Sequence, residues 1–486
     1  MKDIIISLSL ANMAYMEIWE RFFYKRSFEV HNLPTINSFL ALIVGEILIA
    51  FAIWSVIVLS RKIKNKVIRG VLKCIFCLFV INFLYSLVML VDFPINELLI
   101  QLFFLVATIL LIYYRKMTKS LIKIVLVSFP FVLIIFSQAV LGVVNNKDKG
   151  EIIQTSSLFI TRESTPRVLW LVFDEADYRI MFEKRPPNLE LQALDQFRQE
   201  AFQAENAYPP GGSTIDTMPS IIDGRIVTGH KWLNDSVELT YVDSLIPRIW
   251  GSQPNIFTKV KALKMNSAVF GYLPYNKTIR KDVMFCDWSS DKYDYVSPND
   301  TFLANLGSQF YGLLAFKNLS LVQHRIAYQE IYHAAQRLVK DQQYQLVLIH
   351  FSIPHLPSIG HPAWQGNYHT PKDYEENLLI VDQTFANLRK IMENEGLWDN
   401  TNIIVSSDHW LRKKQYIRDH KIDHRVPFIL KLTGQNVNIV YKPAFNTILT
   451  HELILALLRK EIITERDLLK WFEDHRERYP INTWGK

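Results

Sequence analysis

The sequence predicts a helical transmembrane region followed by an α/β domain with a mostly parallel central sheet flanked by helices. Three observations carry that prediction. Apolar stretches of membrane-spanning length crowd the first 145 residues, and β-type apolar runs alternate with helical patterns after residue 166. The composition agrees: 49% of the 486 residues are apolar and 13% aromatic, yet the mean hydropathy is only +0.08. A very apolar part joined to an ordinary soluble part gives that average.

Four stretches are long enough to span: residues 36–59, 71–91, 98–114 with their flanks, and 121–144. Cleavable signal peptides have a different form, so the spans stay in the mature protein. Arg61, Lys62, Lys64, Lys66 and Arg69 follow the first span, and Arg115, Lys116 and Lys119 follow the third. The loop at 92–96 has no Lys or Arg. By the positive-inside rule the basic loops are cytoplasmic and everything after Val144 is outside, in the periplasm of a Gram-negative cell. The expected setting is therefore multi-pass in the inner membrane. Residues 4–16 are apolar but shorter and are followed by Glu17, Glu20 and Arg21; they form a fifth span or an interfacial helix.

The formal charge of +7 sits largely in these short loops. It reads as topology and attraction to anionic lipid. No basic stripe interleaved with stacking aromatics stands out, which excludes nucleic acid as a partner. Cys74 and Cys77 lie inside an apolar stretch as packing residues, and Cys286 is alone, so no disulfide framework exists.

The resulting organisation is a transmembrane region at 1–145, a polar linker at 146–166 and a catalytic domain at 167–486. Within that domain strands are expected at 167–173, 267–272, 344–351 and 402–405. Helical patterns fall at 189–205, 256–263, 321–340 and 373–395.

Ligands of open parallel sheets collect at the carboxyl ends of the strands. Asp174 and Glu175 follow the first run, His355 follows the third, and Asp408 and His409 follow the fourth. Carboxylates with imidazoles suit Zn²⁺ or Mn²⁺, as one or two ions. A lone Asp at a strand end is also a common helix cap, but three such ends coincide here. A glycine loop, Gly212, Ser213, Thr214, runs into a short helix whose first N–H groups suit phosphate oxygens. Thr214 there is a metal-activated nucleophile, or Ser213 or Thr214 is an N-cap; spacing alone leaves both open.

Four ordered motifs resemble the alkaline phosphatase/sulfatase superfamily over about residues 167–435. They are Leu171 to Glu175, Gly212 to Thr214 with Gly224 and Arg225, Ile353 to Pro357, and Ser407 to His409 with His424 to Pro427. The likeness is strongest to the membrane-anchored phosphoethanolamine transferases and lipoteichoic acid synthases. It implies an alkaline-phosphatase-like fold. Glu175, Asp408 and His409 are then metal ligands, and Asp174 fills the place of the first acid of a sulfatase Asp-Asp pair. His355, with Gly212 and Ser213, contacts the transferred group, and His424 serves a second metal or the leaving group.

Thr214 stands ten residues before Gly224, the spacing of the sulfatase nucleophile, and five before Pro219, the spacing in the transferases. Both spacings choose it as nucleophile and metal-bound oxygen. Residue 214 is neither Cys nor Ser, and Asp216 and Met218 replace the residues that direct formylglycine formation. Formylglycine chemistry is therefore not expected. Trp410 replaces the small residue usual after the Asp-His pair.

The resemblance implies a metal-dependent transferase. It moves a phosphoethanolamine- or phosphoglycerol-type group from a phospholipid donor to an envelope glycan or lipid acceptor through a phosphothreonine. The same residues serve a phosphodiester or sulfate-ester hydrolase with water as acceptor. An inactive lipid-binding or sensing relative is the third reading, and the full set of Glu175, Thr214, Asp408, His409 and His424 argues against it.

Overall fold

The computed structural model describes residues 2–23, 34–62, 129, 133–134, 137, 141, 158–159, 165–233, 236–290, 295–297, 299–314, 319–360 and 370–481. The spans expected at 71–91 and 98–114 lie outside the described residues, as do nearly all of 121–144 and of the linker. The chain divides into two compact units. One holds Met1–Arg26, Asn32–Glu151 and Asp294–Phe316; the other is chiefly Ile152–Tyr293 and Lys317–Lys486.

In the first unit, α1 (Lys2–Ala14) and α2 (Met16–Phe23) pack beside α3 (Ile36–Lys62). Asp3 pairs with Arg61 at one end, Ile6 and Leu10 meet Ile53 and Ile57, and Phe22 meets Phe39 edge-on at the other end. The first two helices thus run antiparallel to α3 over most of its length. Residues Ile36–Leu59 of α3 are long and apolar enough to cross a membrane. A further helix, α7 (Phe302–Leu314), belongs to this unit although its sequence lies within the expected catalytic domain.

The second unit is built on an eight-stranded sheet. Its strands are β1 (Val168–Asp174), β2 (Phe202–Ala204), β7 (Ser267–Gly271), β8 (Phe285–Trp288), β9 (Leu346–Pro354), β10 (Asn402–Ser406), β11 (Phe428–Lys431) and β12 (Ile439–Tyr441), in the order β12-β2-β11-β10-β1-β9-β7-β8. Only β11 runs against its neighbours. The four strands expected from sequence are β1, β7, β9 and β10, adjacent at the centre, where burial on both faces demands unbroken apolar runs. Along β1 the side chains alternate between two cores. Val168, Trp170 and Val172 join one, and Leu169, Leu171 and Phe173 the other.

The first core is covered by α5 (Thr214–Asp223), α6 (Ile256–Ala262), α10 (Thr450–Leu458) and α11 (Glu465–His475). The second is covered by α4 (Gln192–Gln199), α8 (Leu319–Leu338) and α9 (Pro371–Asn394). One expectation is corrected. The helix read at 189–205 stops at Gln199, and residues 202–204 form β2, because Phe202 pairs across the sheet with Leu430. A two-stranded ladder joins β3 (Ala207–Tyr208) to β13 (Phe445–Asn446). A separate antiparallel sheet holds β4 (Val227–Trp232), β5 (Val237–Tyr241) and β6 (Ser244–Ile249).

Candidate active site

Strand register sets the site. Val172 of β1 lies level with Ser406 of β10 and with His350 of β9, so the residues just beyond these positions emerge together on one rim. Asp174, at the last position of β1, is buried, and so are Asp408 and His409 in the turn after β10. Ser407 binds the two strand ends together. Its hydroxyl accepts from the Ala176 N–H at 2.9 Å and lies 2.7 Å from the Phe173 carbonyl.

Glu175 has a left-handed backbone (φ 67°), uncommon for a residue with a side chain. That geometry turns its N–H onto Oδ1 of Asp408 at 3.0 Å, and the His409 N–H donates to the same oxygen at 2.8 Å. The Tyr374 hydroxyl donates to the Glu175 carbonyl at 2.8 Å and accepts from the Asp177 N–H at 3.0 Å. Oδ1 of Asp408 is thus taken by backbone donors, which leaves Oδ2 to face the site.

The donor set there fits a cation. Nδ1 of His409 stands 3.0 Å from the Trp410 carbonyl, which only accepts, so Nδ1 carries the proton and Nε2 presents a lone pair. That lone pair lies 3.4 Å from Oδ2 of Asp408 and 3.6 Å from Oδ1 of Asp174. Oδ1 of Asp174 is buried without a hydrogen-bond partner. Asp174, Asp408 and His409 bring one ligand atom each within 4.8 Å of one another. Three converging lone pairs in a buried place repel unless a cation or a proton sits between them.

The electrostatics agree. Burial, then the neighbouring Asp408 and Glu175 carboxylates, push Asp174 well above the usual carboxylate range. Burial also works to raise Asp408, but His409, His350 and the Thr214 hydroxyl hold it down to about 2.

Thr214 is the first residue of α5. Its hydroxyl donates to Oδ2 of Asp408 at 2.7 Å and lies 3.4 Å from Nε2 of His409. Ser213 occupies the N-cap position, but its hydroxyl donates to Asp216 at 2.6 Å rather than capping the helix. Neither hydroxyl caps α5, so the capping alternative has no support in this geometry. Gly212 is pressed by Trp410: a Cβ added there would sit 3.2 Å from the indole.

The other expected residues separate. His355 hangs over the rim with Nε2 3.8 Å from Glu175, and the Asn377 amide of α9 donates to its carbonyl at 3.0 Å. The Glu175 carboxylate is not part of the Asp174, Asp408 and His409 group; it meets the Arg412 guanidinium at 3.2 Å. His424 rests edge-on against Trp410, with ring centroids 4.4 Å apart, and burial lowers its pKa. Arg225 pairs with Asp243 and covers Tyr241 rather than facing the site. His350 is fully buried, its Nδ1 2.9 Å from the Tyr275 hydroxyl, and burial lowers its pKa to about 4.

A cavity of about 250 Å³ opens on Asp174 and Thr214. Its wall includes Trp232, Tyr272, Ser290, His355 and Arg412. Sequence reading missed Arg412, the one cation among the described residues of this wall; it opens a basic run with Lys413 and Lys414 four residues past Asp408 and carries no distinguishing signal. Trp232, Tyr272 and Ser290 left no signal, because β4, β7 and β8 bring them in from distant sequence.

The family model described as Sulfatase matches residues 166–456. No curated protein matches the chain by sequence. Solved structures similar to it include the lipoteichoic acid synthase LtaP from Listeria monocytogenes, with 14% identity over 64% of this chain and 76% of that one and a TM-score of 0.42. The PsFucS1 sulfatase from Pseudoalteromonas sp. has 14% identity over 60% and 68%, TM-score 0.43. The phosphonate monoester hydrolase SpPMH from Silicibacter pomeroyi has 14% identity over 60% and 73%, TM-score 0.39.

Proposed function

The chain belongs to the sulfatase family, an enzyme family, and from that premise we propose that it is a membrane-anchored phosphoryl-group transferase with Thr214 as its nucleophile. The observation that carries the reading is the Thr214 hydroxyl, 2.7 Å from Asp408 and 3.4 Å from His409 on the wall of the cavity. A hydroxyl held there is buried against acceptors and open to a substrate on one side.

Asp174, Asp408, His409 and the Thr214 oxygen would hold a divalent cation, Zn²⁺ or Mn²⁺, which supplies charge that lowers the hydroxyl pKa and offsets that of the phosphoryl group. The remaining work belongs to the chain. Asp408 accepts the Thr214 hydrogen bond and aims the oxygen's free lone pair at the cavity. The start of α5 turns the positive end of its dipole toward an anionic substrate. Arg412 and His355 face the same space and hold phosphoryl oxygens.

In the first half-reaction an O–P bond forms to Thr214 and the P–O bond to the lipid alcohol breaks, that oxygen taking the proton. In the second half an acceptor hydroxyl attacks phosphorus, the O–P bond to Thr214 breaks, and threonine regains its proton. A phospholipid with a phosphoethanolamine or phosphoglycerol head group is the proposed donor, and an extracytoplasmic glycan or lipid the acceptor. The span-length helix α3 supports a donor drawn from the membrane.

Intact-protein mass spectrometry after incubation with phosphatidylethanolamine or phosphatidylglycerol tests the reading. A head-group mass added at Thr214, and missing in Thr214→Ala, is expected. Full turnover by Thr214→Ala would overturn it.

A further inference from the structure

The helix α7 comes from the catalytic part of the sequence, yet the chain leaves the catalytic unit before it and returns after it. Its residues are FLANLGSQFYGLL, with no charged side chain in 13 positions. In water a helix of this composition would turn its apolar side chains inward and its polar ones outward. This one does the reverse. Asn305 and Gln309, one turn apart, are fully buried, whereas Leu303 is 75% exposed and Gly307 and Tyr311 continue its stripe on the outside.

Both buried amides reach hydrogen-bond partners, although the Gln309 side-chain oxygen is buried without one. The Gln309 amide donates to the Ser38 carbonyl at 2.9 Å, near the start of α3. Asn305 accepts from the Ser297 N–H at 2.8 Å and donates to Asp300 at 3.1 Å. Asn37 donates to the Asp300 carbonyl at 2.7 Å, and Thr35 bonds the Asp300 carboxylate. Deeper along α3, a Cβ added at Gly45 would meet Leu306 of α7 at 3.2 Å, so the contact extends from residue 35 to residue 45.

Among the described residues of this unit, polar side chains are buried alongside apolar ones such as Leu10, Phe39 and Leu42, and large apolar ones face outward. Ser7, Ser9, Asn12, Ser38 and Glu46 are buried, while Ile4, Leu40, Leu48 and Phe51 face outward. Polar residues inside and apolar residues outside is the pattern that lipid selects, because hydrocarbon neither rewards apolar burial nor satisfies polar groups.

We propose that α7 is a lipid-embedded helix that enters the outer leaflet beside the first third of α3 without crossing the bilayer. Its partner is the acyl region and interface of a phospholipid membrane. Thirteen residues at 1.5 Å per residue give about 20 Å, too short to span the ~30 Å hydrocarbon core. It anchors the catalytic chain a second time, independently of the linker at 146–166. The inference rests on the membrane reading of α3 and is independent of the reaction.

Nitroxide labels on the full-length protein in phospholipid nanodiscs test it, in a background with Cys74, Cys77 and Cys286 replaced. Labels go at Leu303→Cys and Gly307→Cys. The controls are Phe51→Cys, 62% exposed on α3, and Val242→Cys, 65% exposed in the catalytic unit. Labels at 303 and 307 are expected to match 51, accessible to dissolved oxygen and shielded from a water-soluble nickel chelate. Nickel accessibility like that of 242, or spin–spin broadening from a second copy, would overturn the proposal. If 51 itself is nickel-accessible, the membrane reading of α3 fails instead and takes the proposal with it.

Should the replaced background not fold, photolabelling of the unaltered chain with a diazirine phospholipid reads the same question. Adducts on the peptide covering 302–314 support the embedding. Adducts on α3 with none on that peptide refute it.

Discussion

The Thr214 hydroxyl and Oδ2 of Asp408 lie 2.7 Å apart, although 194 residues separate them in the chain. The bond joins the first residue of α5 to the turn after β10, and it aims the threonine oxygen by fixing where its proton goes. Asp408 can serve as that fixed acceptor because its other oxygen is held by the Glu175 and His409 N–H groups.

Thr214→Ala removes the oxygen proposed to attack and is expected to lower kcat by about 10³-fold or more, with the fold intact. Thr214→Ser keeps the oxygen and its acceptor but loses the methyl group that limits its rotamers, so partial activity should remain. Steady-state turnover and the covalent adduct, measured side by side, check both.

Ser407 is buried, and its hydroxyl accepts from Ala176 and lies 2.7 Å from the Phe173 carbonyl. Ser407→Ala should let the ends of β1 and β10 drift and weaken binding of Zn²⁺ or Mn²⁺ by about 10–100-fold. Chelator competition on the purified protein measures this directly. A thermal midpoint that falls while metal affinity stays unchanged would assign Ser407 to folding alone.

Arg412 is expected to act on substrate binding. Its guanidinium faces the cavity and is held by Glu175 at 3.2 Å. Arg412→Ala should raise KM for an anionic lipid by about tenfold with a smaller change in kcat. Arg412→Lys should recover only part of the loss, since an ammonium cannot reproduce the guanidinium fork.

The centre of the sheet was legible in the sequence because β1, β9 and β10 are buried on both faces and are apolar at most positions. Three of the candidate ligand positions, Asp174, Asp408 and His409, sit where those runs end. The strand β2 was not legible: Phe202, Gln203 and Ala204 extend a helical pattern, and only pairing with β11 on one side and β12 on the other makes them a strand. Arg412 escaped for another reason. Nothing in its local sequence says that it faces Glu175, a contact made by the turn as a whole. The helix α7 escaped because its apolar composition suits a soluble core equally well, and only burial of Asn305 and Gln309 reveals the inversion.

Asp223, at the end of α5, gives the pH prediction. Burial pushes its carboxyl up to about 7 despite the hydrogen bond from Tyr241. A raised folded-state pKa means the folded protein binds this proton more tightly than the unfolded chain does. The stability it contributes is therefore complete below the ordinary carboxylate pKa of about 3.8 and is lost as pH rises to about 7. Asp223→Asn keeps an acceptor for Tyr241 and abolishes the titration. It should be more stable than the parent at pH 8, by on the order of 2 kcal/mol, with the gap closing toward pH 4. Thermal unfolding at a series of pH values reads the gap.

The same end of this helix supplies a stability test with an internal control. Gly224 ends α5 with φ 69°, and a Cβ there would lie 3.1 Å from the His451 ring. That ring cannot withdraw easily, because its Nδ1 stands 3.0 Å from the Ile221 and Ile222 carbonyls and its Nε2 2.7 Å from Lys259. Gly396 has nearly the same backbone, φ 67°, with nothing within 4 Å of an added Cβ. Gly396→Ala should therefore cost only the left-handed backbone penalty, about 1 kcal/mol. Gly224→Ala should cost that plus the displacement of His451, about 2–3 kcal/mol in all. Equal losses in the two variants, measured by denaturant unfolding, would mean that His451 yields and does not fix the end of α5.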